Sequence, residues 1–135
     1  GYITATGAVR RISMTGGASV LLDLNGSTHV TAIDWRDDSN LVAGCKNALA
    51  TGIPGLINVP RDASPASILF NDGGAGLRSF PIGVATDPDG NILFDEVDAG
   101  LSQREIYRVD PPGLAARIGI VTRSQNDAGV WSLFY

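Results

Sequence analysis

Three groups of residues in this 135-residue chain have types and spacings that could do chemistry. Asp95, Glu96 and Asp98 crowd carboxylates together, and oxygen ligands at that spacing could hold Ca²⁺. No EF-hand spacing surrounds them and no glycine stands at the offset such a loop requires, so they also read as a solvated acidic loop. The segment Asn71-Asp72-Gly73-Gly74-Ala75-Gly76-Leu77-Arg78 is the second group. Its glycines permit positive φ and close approach of backbone to a ligand. Arg78 could hold a carboxylate or a phosphate there. It is not a P-loop, because no Gly-Lys-Ser/Thr follows and no helix opens behind it; its plainer role is a flexible connector. His29, the single histidine, is the third. A Ser-His-Asp triad would need it as base, and nothing nominates a partner serine. One histidine excludes a multi-histidine zinc site, and zinc-type Cys/His spacing is absent. No catalytic set emerges, and the candidate ligand-binding residues are His29, Asn71, Asp72, Arg78, Asp95 and Glu96. No cofactor other than Ca²⁺ is suggested.

Other single residues point to structure. Trp35 and Trp131 could stack on sugar rings, but aromatic residues mainly supply buried area, so core or packing roles are expected. Cys45 is alone, which rules out an internal disulfide and suits a small buried hydrophobe. Asn25-Gly26-Ser27 matches the N-glycosylation acceptor pattern, which matters only in a secreted eukaryotic protein. Asp37 and Asp38 fit a turn.

Composition sets the class that must position these residues. Hydrophobic residues make up 44% and charged residues 18%, which suits a packed core. Glycine at 17 and proline at 7, spread among short apolar runs, indicate many turns and many short strands. The net charge of −4 and a pI near 4.7 argue against nucleic acid, since no basic cluster extends beyond Arg10 and Arg11. No apolar run approaches the ~20 residues needed to span a bilayer as a helix. The chain begins at Gly1, which tilts the reading slightly toward an exported or processed protein.

The strands follow a repeated order. Ile82–Asp87 reads as a short strand, Asp87-Pro88-Asp89-Gly90 as a type I turn, and Asn91–Phe94 as a second strand. Glu105–Val109 alternates polar and apolar residues as a third strand. Asp110-Pro111-Pro112-Gly113 turns, and Ala116–Val121 is a fourth. The same order occurs upstream in Val30–Asp34, Leu41–Ala43, Leu56–Pro60 and Ser67–Phe70. Further upstream Tyr2–Ala5, Val9–Ile12 and Ala18–Leu22 supply second, third and fourth strands. Val9, Leu56 and Ile106 correspond in this alignment.

The pattern Ala85-x-Asp87-x-x-Gly90-Asn91-x-Leu93-Phe94, followed by Ile106-Tyr107-Arg108-Val109-Asp110-Pro111, resembles blades of NHL-type and gluconolactonase/regucalcin-like β-propellers. The second repeat departs from it, with Pro60-Arg61-Asp62 in place of the Asp-Pro turn. The resemblance implies an all-β propeller segment of about three four-stranded antiparallel repeats; a β-sandwich is the alternative. Its divisions are a partial blade 1–29 completed by strand 128–135, a blade 30–81, and a blade 82–127. The matched missing strand suggests that a second chain completes six blades in a homodimer, unless the chain is part of a longer one. The resemblance places ligands on one loop face. The functions in view are a non-catalytic module binding a protein, peptide or glycan, a metal-dependent lactonase or lyase, and a structural fragment.

Overall fold

The structure is a computed structural model, and it describes residues 2–5, 8–23, 28–71, 80–98, 103–110 and 114–122. The protein is all-β, with no α-helix among the described residues. Three antiparallel sheets follow one another along the chain. The first has three strands in sequence order, β1 (Tyr2–Ala5), β2 (Ala8–Ile12) and β3 (Ala18–Asp23). The second is a four-stranded meander of β4 (Val30–Trp35), β5 (Asn40–Cys45), β6 (Gly55–Pro60) and β7 (Ser67–Asn71). The third is another, made of β8 (Gly83–Thr86), β9 (Ile92–Asp98), β10 (Gln103–Asp110) and β11 (Leu114–Thr122).

The turns that join first to second strands are built alike. Asp87 Oδ1 accepts from the backbone N–H groups of Asp89 and Asn91, at 3.0 and 2.8 Å. Its Oδ2 accepts from the Asn91 amide, and Gly90 closes the turn at φ 85°, a conformation that costs glycine nothing sterically. In the preceding sheet, Asp37 accepts from the backbone N–H of Ser39 and from the Asn40 amide. These bonds to the charged form hold the carboxyls of Asp37 and Asp87 below the usual range.

Each sheet carries a β-bulge at the same place between its last two strands. The register shifts between Val9 and Arg10, between Leu56 and Ile57, and between Ile106 and Tyr107. The residues aligned from sequence therefore each stand immediately before a bulge, where an extra residue bends and twists the strand.

Packing follows the period of two. Leu41, Ala43 and Cys45 on β5, with Ile57 and Val59 on β6, form one buried cluster with Val9 of the first sheet. Val42 and Leu56, on the opposite face, join Val84, Ile92, Phe94 and Val109 of the third sheet. The β4–β7 sheet is thus buried on both faces, and its strands are correspondingly rich in apolar residues. Gly44 allows the third sheet to come this close: a Cβ there would sit 3.0 Å from Pro81 Cβ and from Val84 Cγ2. Among the described residues, side-chain hydrogen bonds tie the second and third repeats together. Thr31 Oγ1 donates to the Pro81 carbonyl, and the Thr86 N–H donates to Asp34 Oδ2 at 2.8 Å. Among the described residues no helix is long and apolar enough to cross a membrane.

Candidate functional site

The acidic group lies within strands, not in a loop. β9 continues through Asp98 and β10 begins at Gln103, so Asp95, Glu96 and Arg104 are all in ladder positions. The sequence places 95–104 in a connection because charged residues are usual there. The strands extend because the charges find partners across the ladder. Asp95 Oδ2 pairs with Arg104 Nη1 at 3.0 Å, and both side chains are buried. Asp95 Oδ1 accepts from the Gly83 N–H at 2.6 Å. Burial pushes the Asp95 carboxyl up, and Arg104 and the Gly83 bond oppose that shift.

Neighbouring strand residues point to opposite faces, so Glu96 projects away from Asp95. Glu96 stands directly across from Glu105 in the ladder, and both are buried. The Tyr107 hydroxyl bridges them, 2.7 Å from Glu105 Oε2 and 3.2 Å from Glu96 Oε1. Burial raises the Tyr107 pKa, and the two carboxylates raise it further. Its ring stacks on Phe94 with centroids 5.1 Å apart, on the face that packs against the β4–β7 sheet. The sequence places Glu105 and Tyr107 in an alternating strand but nominates neither as a site residue. That alternation puts both on one face, and extending the preceding strand through Glu96 would have brought the second carboxylate to them.

The structure thus separates Asp95 from Glu96 and does not gather the acidic residues into one cradle; among the described residues no group of three metal-ligating side chains converges. Asp98 lies at the end of β9. His29 is exposed before β4, and its carbonyl accepts from the Lys46 N–H at 2.8 Å. Asn71 is half-buried at the end of β7. Asp72 and Arg78 lie outside the described residues, as do the turn at 111–113, the acceptor Asn25 and Trp131. Cys45 is buried, and burial pushes its thiol up to about 12, which leaves it unreactive at neutral pH.

A different surface has the make-up of a site. The turn after β4 and the loop after β6 frame an open pocket of about 370 Å³, lined by Asp38, Ser39, Asn40, Arg61, Asp62 and Ser64 with Pro60. Beside it stands Trp35, where a core position was expected; it is 48% exposed. As the last residue of β4 it lies at the rim of the sheet, and the Arg61 guanidinium covers its ring 4.6 Å from the centroid. Arg61 also donates to the Asp38 carbonyl. A polar relay supports the floor: Arg36 donates to Asn58 Oδ1 at 2.8 Å, and the Asn58 amide donates to Asn40 Oδ1 at 2.9 Å. Ala63, in the same loop, is held at φ 65°, a conformation non-glycine residues rarely adopt. The site combines an aromatic ring, a fixed cation and several hydroxyl, amide and carboxylate groups on paired strands. That mixture suits recognition of a polyhydroxylated ligand.

Comparison of the chain with protein families, with curated proteins and with solved structures finds no match.

Proposed function

We propose that this protein is a non-catalytic binding module of the β-propeller kind that takes a glycan at the turn surface of its β4–β7 sheet. The propeller part of the reading is supported by the serial stacking of the sheets and by the bulge repeated in the same place. A two-sheet sandwich buries one face of each sheet, whereas here the middle sheet buries both. The binding part rests on one observation, the half-exposed Trp35 with Arg61 over its ring beside a pocket of polar side chains. An aromatic face supports the apolar side of a sugar ring, and the surrounding donors and acceptors select its hydroxyl pattern.

A glycan array read with labelled protein, followed by titration of the best hit, tests this. Binding is expected, and Trp35→Ala and Arg61→Ala should each weaken it by about tenfold or more, the scale of one stacking or cation–π contact at a hot spot. A silent array, or a hit whose affinity neither substitution changes, would remove the reading.

A further inference from the structure

We propose that Asn58, which does not line the pocket beside Trp35, is a positioning residue for it: a one-way relay of hydrogen bonds through Asn58 fixes the turn that lays Arg61 on the Trp35 ring. This rests on the Trp35 site proposed above and deepens it from a set of lining residues to the device that orders them.

The relay passes through β6. Asn58 is half-buried and stands across the ladder from Val42, diagonal to Asn40 on the same face. Arg36 Nη1 donates to Asn58 Oδ1 at 2.8 Å, and Asn58 Nδ2 donates to Asn40 Oδ1 at 2.9 Å. Asn40 Nδ2 then donates to the Asp37 carboxylate, 2.9 Å from Oδ1 and 3.1 Å from Oδ2. The two ends set the direction. A guanidinium can only donate, and an ionised carboxylate can only accept. Turning either amide over would set donor against donor and acceptor against acceptor. Asn58 and Asn40 therefore each have one orientation that keeps every bond. Asp37 stays ionised at neutral pH, because bonds from the Ser39 N–H and the Asn40 amide, helped by the Arg36 charge, hold its carboxyl below the usual range.

The turn hands this order on to the pocket. Asp37 Oδ1 also accepts from the Ser39 N–H at 2.8 Å, which pins the peptide groups between the two residues. The carbonyls of Asp38 and Ser39, in that pinned segment, hold the opposite wall. The Arg61 guanidinium donates to the Asp38 carbonyl, and the Arg61 N–H donates to the Ser39 carbonyl at 2.9 Å. Arg61 is thus held at backbone and side chain, with its guanidinium 4.6 Å from the centroid of the Trp35 ring. Ordering a long side chain costs affinity when the ligand must do it, and here the turn does it beforehand. Asn58 is not among the pocket-lining residues, so it acts through Asn40 and Asp37.

NMR on the intact chain tests this without a ligand. In the wild type the indole ring current should shift the Arg61 side-chain protons upfield, and the Asp37 carboxyl should titrate below its ordinary value of 3.8. Asn58→Leu removes both bonds of the middle link at similar volume. Asn58→Asp keeps an acceptor for Arg36 but cannot donate to Asn40, so it breaks the direction alone. In both variants the Arg61 protons should lose most of their ring-current shift, and the Asp37 value should move up toward 3.8. Unchanged amide shifts in Leu41–Cys45 should show the core intact. On a glycan that the wild type binds, each variant should weaken affinity about fivefold, the scale of ordering one long side chain. An Arg61 shift and an Asp37 value that neither variant changes overturn the inference, as does a loss in Asn58→Leu that Asn58→Asp does not share. Loss of order at Arg61 in both variants together with a silent glycan array supports the positioning role and removes the ligand reading, so the two failures are told apart.

Discussion

Arg104 shows how a charged residue can be structural in this protein. Its guanidinium meets a carboxylate whose pKa burial has raised, and both side chains are out of water. Removing one partner of such a pair leaves the other charge buried alone, which costs about 3 kcal/mol. Arg104→Met should therefore destabilise the fold by about that amount at neutral pH. The loss should depend on pH. Without the cation, the folded-state pKa of Asp95 rises further above its ordinary value of 3.8. A raised carboxyl costs nothing where it is protonated in both states. The penalty then grows as pH climbs from the unfolded value through the folded one. Urea unfolding at several pH values should show variant and wild type converging near pH 3 and diverging toward pH 7; a constant gap would mean that the pair carries no such linkage. From sequence alone Asp95, Glu96 and Asp98 look like one acidic cluster, because adjacency is visible and strand direction is not. Once β9 is known to run through Asp98, alternation assigns Asp95 to Arg104 and Glu96 to Tyr107.

At the scale of elements, the sequence was most legible where turn chemistry and alternation agreed. Asp87-Pro88-Asp89-Gly90 forms the expected turn, and β2, β6 and β7 lie within a residue of where the pattern places them. It was least legible at strand ends, since β9 and β10 extend into charged residues whose partners are remote in sequence. The Trp35 pocket was missed for a related reason. Arg61 comes from the loop that departs from the propeller-like motif, and nothing in its neighbours announces that it lies over β4. Gly44 gives a test of how closely the elements pack. A methyl group there would meet Pro81 Cβ and Val84 Cγ2 at 3.0 Å and Thr31 Oγ1 at 3.2 Å. Gly44→Ala should cost about 2 kcal/mol by forcing the sheets apart. Gly119→Ala meets nothing nearer than 3.9 Å and should be far milder. Equal losses of stability in chemical denaturation would mean that the second and third sheets do not pack as closely as described.

For the whole molecule, the repeated order of strands made the serial sheets legible, because each repeat carries its own turns and its own alternation. How the sheets stack is not written in any one repeat; it depends on which faces are apolar together. Val42 and Leu56 alternate with Leu41, Ala43 and Ile57, so the middle sheet has no solvent face to lose. That arrangement predicts an uneven distribution of local stability. Amides exchange with solvent through local openings, and openings are rarest where burial is greatest on both sides. Hydrogen exchange followed by mass spectrometry or NMR should find the slowest amides in β5 and β6, within Leu41–Cys45 and Leu56–Val59. Among the described residues Val9 ties the first sheet to this core, and the first sheet should exchange sooner than β5 and β6. In the third sheet, protection should fall from Phe94, at the shared interface, toward Ile118, at the outer bulge. Uniform protection across the three sheets at low concentration would instead mean that they unfold as one cooperative block, with no special role for the sheet in the middle.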